Sequence, residues 1–516
     1  MQIKKILWAD DEIDLLKPHI MFLEKRGYHV HPVNSGEDAI KVLKSESYDI
    51  VLLDEMMTGL DGLTTLQIIK STLPNLPVVM ITKNEDEWLM DEAIGQQITN
   101  YLTKPVNPSQ VLLACKNILE KSKLQSDHTT KSYLQDFQNI SDEIAKATSI
   151  EDWYQINRNL INWNIRFDNS ADSNLHEILL EQTEESNKLF TQFIKKNYQQ
   201  WITSNERPTL SPDIFNTYLT PLLLDDKKVV FIVIDCLRFD QINAIIDTLY
   251  PYYNYTVDSS LSILPSATPY SRNAIFSGLF PDEISRKYSD IWVDNPSDES
   301  SLNQHEERLF RDQIKRTGFS NKSMSYHKIL TYQEGTKLEN RITDLKSVDI
   351  ITIVVNFVDM LGHSRSESDV LKEMVPNESA YRDVVKSWFE KSWLLSLLNQ
   401  IKSWKRTVVI TSDHGTIRVK KPIRVKADRG TSTGVRYKFG RNLHVDSKSS
   451  LRISTPGEFG LPQSEKVQNY IIACDQSFYV YPNDYHYYIN KFQDTFQHGG
   501  ISLEEMIVPV IKFTGK

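Results

Sequence analysis

Residues able to do chemistry gather at two places in this chain of 516 residues. Near the N-terminus, Asp10, Asp11 and Glu12 follow one short apolar run, Asp54 follows another, and Thr82 and Lys104 follow two more. Carboxylates crowded into one pocket raise each other's pKa unless a hard divalent cation such as Mg²⁺ takes oxygens from them. A carboxylate beside Mg²⁺, with an ammonium group and a hydroxyl in reach, is equipped to accept a phosphoryl group, and Asp54 is the candidate acceptor. In the second half, Asp235, Asp359 with Gly362-His363, and Asp413-His414 each come at or soon after an apolar run. Thr268 lies between two prolines, and His498 precedes Gly499-Gly500. Imidazole with carboxylate suits Zn²⁺ or Mn²⁺, and ligands from distant strands suit two ions about 4 Å apart that bridge the attacking and leaving oxygens of a phosphoryl displacement. Thr268 is the hydroxyl such a pair would activate as an alkoxide nucleophile.

The elements that must position these residues are legible as apolar runs. Residues 1 to about 120 alternate short runs (Ile6 to Ala9, Tyr28 to Val33, Ile50 to Leu53, Val78 to Ile81, Tyr101-Leu102) with amphipathic stretches, one of them near Glu92. Five βα units predict a doubly wound parallel sheet, with chemistry at the carboxyl ends of its strands. From Ser109 to Arg207 there is no Gly, and apolar residues recur at helical spacing (Tyr133, Leu134, Phe137, Ile140, Ile144; Ile156, Leu160, Trp163; Leu189, Phe193, Ile194), which predicts helices broken at polar turns such as 168–172. This middle is either a spacer that packs on itself or a signal-carrying coupler. From Lys228 the α/β pattern returns: Val229 to Ile234 ends at Asp235, Ile350 to Phe357 precedes Asp359, and Thr407 to Ile410 leads into Ser412-Asp413-His414. The domains expected are 1–120, 121–207 and 208–516.

Charge and cysteine content narrow the function. There are 59 Lys and Arg against 68 Asp and Glu, so a generally basic nucleic-acid binder is excluded and anion contacts must be local. Three dispersed cysteines, Cys115, Cys236 and Cys474, argue against a disulfide framework. The chain has neither an apolar run long enough to span a membrane nor a signal-peptide pattern at Met1, and a cytoplasmic location is expected. Residues 417–441 carry nine Lys or Arg against one acid, Asp428, with Tyr437 and Phe439 interleaved. This segment is either a solvated face or a surface that holds phosphates and stacks a base, with Arg436 and Lys438 as candidate contacts.

The first segment resembles response-regulator receiver domains through Ala9-Asp10-Asp11-Glu12, Leu53-Asp54-Glu55-Met56-Met57, Asp61-Gly62, Thr82 and Lys104-Pro105. The resemblance implies that Asp10, Asp11 and Asp54 hold Mg²⁺, that Asp54 is phosphorylated by a sensor histidine kinase, and that Thr82, Lys104 and the aromatic Tyr101 form the switch. Thr58 replaces the usual Pro and Lys83 a usual small residue. The last segment resembles the alkaline phosphatase superfamily, and within it the PglZ branch, through Asp235, Leu264 to Ser271, Asp359-x-x-Gly-His363, Ser412-Asp413-His414-Gly415 and Gln497-His498-Gly499-Gly500. That resemblance implies one zinc site of Asp359, His363 and His498 and another of Asp235, Asp413 and His414 with Thr268. Phosphodiesterase members usually carry Asn three residues after the nucleophile; here Ser271 stands there, followed by Arg272 and Asn273, and these three are candidate substrate contacts. Cys236 occupies a position where Gly is common, as a buried small hydrophobe or as a metal ligand.

A receiver, a helical connector and a PglZ domain together resemble PorX-type response regulators. The resemblance implies a phosphorylation-controlled phosphodiesterase acting on nucleotides or oligonucleotides, a homodimer formed on phosphorylation, and a role with the regulatory components of type IX secretion. No short basic helix-turn-helix segment appears, so no duplex DNA partner is expected. The competing readings are a metal-stabilised interaction module without turnover, and a phosphomonoesterase or sulfatase using the same ions.

Overall fold

The computed structural model describes residues 4–83, 98–119, 121–168, 173–292, 303–427, 431–432, 434–445 and 448–516. The chain divides into two compact units, Met1–Leu134 and Gln135–Lys516.

The first unit is the expected (βα) layer structure. Strands β1 (Lys4–Ala9), β2 (Tyr28–Val33), β3 (Ile50–Asp54), β4 (Val78–Thr82) and β5 (Asn100–Thr103) form one parallel sheet in the order β2-β1-β3-β4-β5. Its central strands are apolar throughout because both faces are covered: Leu7, Val51, Leu53 and Met80 pack on one side, Ile6, Ile50, Leu52 and Ile81 on the other. The chain reverses direction of winding beside β1 and β3, so Asp10 and Asp54 emerge at the switch point, where α/β sheets place ligands. The helix expected near Glu92 lies outside the described residues.

The second unit is built on a six-stranded sheet. Strands β6 (Val229–Ile234), β7 (Tyr253–Leu261), β8 (Met324–Ile329), β9 (Ile350–Val355), β10 (Thr407–Thr411) and the C-terminal strand Ile507–Gly515 lie in the order β7, C-terminal strand, β10, β6, β9, β8. The run from β10 to β8 is parallel, and the C-terminal strand pairs antiparallel with both neighbours. The apolar run Ile350 to Phe357 is not all strand: β9 stops at Val355 and Phe357 opens a helix to Glu367. That places Asp359 and His363 four residues apart on one helical face, not at a strand tip.

The helical middle contains helices Lys121–Lys146, Ile150–Asp168 and Ser173–Thr203. Asp168 closes one helix, and residues 169–172 of the expected turn lie outside the described residues. Most of the predicted apolar faces are buried, including Ile140, Ile156, Leu160, Trp163 and Ile194, whereas Leu134 is exposed. From Gln135 onward these helices belong to the same compact unit as the six-stranded sheet.

Candidate functional site

In the receiver unit, Asp10 and Asp54 are buried while Asp11 is exposed, and one carboxylate oxygen from each falls within 4.8 Å of the others. The Lys104 ammonium lies 2.8 Å from Asp54 and 3.0 Å from Asp10. Burial, opposed by the Lys104 hydrogen bond and reinforced by Asp10 and Asp11, pushes the Asp54 carboxyl up to about 6. One ammonium therefore leaves the acids short of positive charge, and three oxygen donors suit a hard divalent ion. Thr82 is buried at the tip of β4 and donates its hydroxyl to Glu55. Lys83 stands at the rim, 3.9 Å from Glu12. Tyr101 is 41% exposed.

In the second unit, β6, β9 and β10 are neighbours, and the residues that follow them converge. Thr268 is the first residue of the helix Thr268–Ser277, with Pro269 in its first turn, where a missing N–H costs nothing. Its Oγ1 lies 3.0 Å from His414 Nε2 and 3.4 Å from Asp235 Oδ1. His414 Nε2 lies 3.8 Å from Asp235 and 3.9 Å from Asp413. Beside this group, Asp359 Oδ1 is 3.3 Å from His363 Nε2 and 3.6 Å from His498 Nε2. The rings of His414 and His498 stack with centroids 4.3 Å apart, so the two clusters adjoin. Asp235, Asp413 and His414 are buried, and donor atoms within each cluster fall within 4.8 Å of one another.

The electrostatics ask for cations. Burial pushes Asp235 well above the usual carboxylate range; Arg272 pulls it down, and Asp413 and Asp359 push it up again. Burial and the neighbouring His414 hold His498 well below the usual imidazole range, which is the neutral form a metal takes. Asp359 resists its own burial and is held low by His363 and His498. Asp413 Oδ2 is fully buried with no hydrogen-bond partner; Arg272 Nη1 is 3.8 Å away. An orphaned carboxylate oxygen inside a set of carboxylates and imidazoles fits a pair of borderline divalent ions.

A polar frame holds the two loops together. Ser266, two residues before Thr268, donates to the carbonyl of Gly500, two residues after His498, at 2.7 Å. Gly500 N donates to Glu505 at 2.8 Å, and Glu505 accepts from Arg436 Nε at 3.0 Å. Gly499 has φ +109°, and a Cβ there would meet the Tyr437 ring at 2.3 Å; a Cβ on Gly500 would meet Arg436 at 2.2 Å. Only glycines let the His498 loop lie this close.

This frame corrects several expected substrate contacts. Arg436 and Lys438 are buried; Arg436 is spent on Glu505 and the Ser477 carbonyl, and Lys438 reaches the Ser432 carbonyl at 3.2 Å. Tyr437 and Phe439 are buried too, against Tyr270 and Tyr470, so neither offers a face for a base to stack on. Lys420 and Lys421 pair with Glu184, and Arg429 lies outside the described residues. The basic segment is therefore not one phosphate-holding surface: Arg436 and Lys438 lie inside the fold, and Lys420 and Lys421 are paired with Glu184. Ser271 bonds Ser262 at 2.8 Å and Asn273 donates to Pro269 at 2.9 Å, both turned into the helix packing. Arg272 is buried between Asp235 (2.6 Å) and Glu306 (2.7 Å), a counter-ion to the ligands and not an open phosphate clamp. Spacing alone gave no sign of Glu306, which reaches Arg272 from a helix far along the chain. Arg436→Met should leave Glu505 buried without its cation and lower stability by about 3–5 kcal/mol, measured by denaturant unfolding, whereas Arg441→Met on the exposed surface should change little.

Comparison with known proteins places these elements. Residues 214–513 match the BREX system PglZ alkaline phosphatase-like domain, which is more than half of the chain. The chain belongs to the PglZ family. Residues 123–202 match the PorX response regulator linker domain and residues 6–116 the response regulator receiver domain, so the three together make a PorX-type architecture. Among curated relatives, the alkaline phosphatase synthesis transcriptional regulatory protein PhoP of Bacillus subtilis is 32% identical over 123 residues, covering 23% of this chain and 50% of the relative. The transcriptional regulatory protein CpxR homolog of Haemophilus influenzae is 33% identical over 141 residues, covering 27% and 60%. The chain thus spans only about half to three-fifths of the curated relatives it matches. Among solved structures, a CheY-like receiver domain protein from Methanospirillum hungatei is similar at 23% identity and a TM-score of 0.23, covering 23% of this chain and 96% of that one. Among the described residues, no helix is long and apolar enough to cross a membrane.

Proposed function

We propose that this PorX-type chain is a cytoplasmic response regulator in which a sensor histidine kinase phosphorylates Asp54 and a two-zinc PglZ domain hydrolyses phosphodiesters of nucleotides or oligonucleotides, in the control of type IX secretion. The observation that carries the catalytic half is the Thr268 hydroxyl, set 3.0 Å from His414 and 3.4 Å from Asp235 beside a second carboxylate-imidazole cluster. Asp235, Asp413 and His414 would hold one ion and Asp359, His363 and His498 the other. When bound, such ions supply Lewis acidity at the phosphoryl oxygens and make a hydroxyl nucleophilic near neutral pH. The chain's own part is to hold Thr268 Oγ1 beside the Asp235, Asp413 and His414 cluster, 3.0 Å from His414 and 3.4 Å from Asp235, and to aim it at phosphorus. As the Thr268–P bond forms and the P–O bond to the leaving alcohol breaks, the Thr268 proton goes to solvent and the departing alkoxide takes one from solvent; water then cleaves the Thr268–P link, releasing the remaining phosphate monoester and restoring the threonine hydroxyl.

Arg272 supports a diester over a monoester. It is committed to Asp235 and Glu306, so it does not neutralise the second charge that a monoester carries, and a singly charged diester makes the smaller demand. In the receiver, Asp10, Asp11 and Asp54 would hold Mg²⁺. We further propose that phosphorylation drives dimerisation and that the helical middle carries the change to the metal loops. Contacts inside the second unit support such coupling. Tyr198 OH accepts from Leu264 N at 2.8 Å, four residues before Thr268. Asn187 donates to Glu504 at 3.0 Å, and Arg382 joins Asp168 to Asp240 (2.6 and 2.8 Å), five residues after Asp235. The test is a panel of chromogenic phosphodiester, phosphomonoester and sulfate ester on one zinc-loaded preparation, with and without a phosphoryl analogue on the receiver. The diester should turn over fastest; faster hydrolysis of the monoester or sulfate would overturn the substrate class.

A further inference from the structure

Asn356 stands between the two clusters. Strand β9 ends at Val355, which pairs with Ile234 and accepts a hydrogen bond from Asp235 N at 2.9 Å, so the register of β6 and β9 brings the next residue, Asn356, beside Asp235. Its Nδ2 donates to Asp235 Oδ2 at 3.0 Å. Arg272 Nη1 donates to the same oxygen at 2.6 Å. Two donors fill both lone-pair directions of Oδ2. Oδ1 is left as the oxygen turned inward, 3.4 Å from Thr268 Oγ1 and 3.8 Å from His414 Nε2.

Asn356 also opens the helix Phe357–Glu367, three residues before Asp359. Asn is among the preferred residues at a helix start because its side-chain oxygen accepts from a backbone N–H of the first turn. Asn377 does this at the head of the helix Glu378–Lys391, accepting from Ala380 N at 3.0 Å. The Asn356 side chain makes no such bond, and its Oδ1 is buried with no partner among the described residues. An amide that leaves a buried acceptor unmet and its own helix uncapped is held in place for its donor. Arg272 does not supply the same link, since its Nε goes to Glu306, on a helix that carries none of the six ligands. We infer that Asn356 is a positioning residue of the metal centre: its N–H fixes the Asp235 carboxylate with Oδ1 facing inward and anchors that ligand on the helix carrying Asp359 and His363. The inference rests on the reading of the two clusters as a metal centre and adds an outer residue that joins them. Outer partners of ligating groups set metal affinity, typically by about 10- to 100-fold.

The test uses the full chain, stripped by chelation and titrated with Zn²⁺ in competition with a chromogenic chelator, beside Asn356→Ser and Asn356→Thr. Ser and Thr are good residues at a helix start, but neither carries an amide N–H to give Asp235, so a capping role would leave both variants like the wild type. In each variant half of the zinc should bind at least about tenfold more weakly and the other half as in the wild type. The second variant serves should the first fail to fold. Zinc binding unchanged in the variants would overturn the role of Asn356 and leave the metal centre standing. Both ions weakened alike would overturn it too, because a general loosening of the fold does not single out Asp235. No zinc uptake by the wild type would overturn the metal centre and the inference with it.

Discussion

Thr268→Ala should retain its metal and lose diester hydrolysis by at least about 10³-fold, since removing a covalent nucleophile leaves only binding and electrostatic stabilisation. The substitution is mild for the fold. Thr268 opens a helix whose turn is fixed independently by the Ser266 bond to Gly500 and by the Ser262 bond to Ser271. Ala is a good helix former, and the deleted methyl and hydroxyl are small. The ligands lose only one contact each, at 3.4 Å for Asp235 and 3.0 Å for His414, so both clusters should still bind. Metal content measured beside turnover separates a lost nucleophile from a lost site. Hydrolysis unchanged in this variant would remove Thr268 from the chemistry.

Asp54→Asn should abolish phosphoryl incorporation from a small donor such as acetyl phosphate, measured as acid-stable, base-labile acyl phosphate. An amide cannot attack phosphorus, and the variant leaves Asp10, Asp11 and Lys104 in place. Stability should not suffer. Asp54 is buried beside two other acids with its carboxyl pushed up to about 6, so ionising it opposes folding. The folded chain binds the proton more tightly than the unfolded chain, whose carboxyl titrates near 4. Without a divalent ion, stability therefore falls as pH rises through the window from about 4 to 6. The neutral Asn escapes that fall, and thermal unfolding at pH 7 without Mg²⁺ should show the variant at least as stable as the wild type. Phosphorylation persisting in Asp54→Asn would place the acceptor elsewhere.

Much of the fold was legible because buried parallel strands leave an unmistakable trace. Val229 to Ile234 and Ile50 to Leu53 are apolar on both faces, and the acid that follows each stands at a carboxyl end. Helical geometry was less legible at Asp359: an apolar run does not distinguish the end of a strand from the first turn of a helix, and β9 stops two residues short of the run. The candidate site was legible residue by residue, but its surroundings were not. Charge along the sequence resembles a surface patch, and nothing local tells that Arg436 is matched by Glu505 or Lys421 by Glu184, since those partners come from 69 and 237 residues away. Arg272 illustrates the same limit. Its place near Thr268 suggested a phosphate clamp, while the fold assigns it to Asp235 and to Glu306 on another helix.

The central claim is a paired metal centre in the PglZ domain, and elemental analysis of the full-length chain after dialysis tests it most directly. The account predicts a transition-metal content near two ions per chain, dominated by zinc, and cut by Asp413→Ala and by His498→Ala separately. A purified, folded chain that binds no transition metal even when zinc is supplied would contradict it.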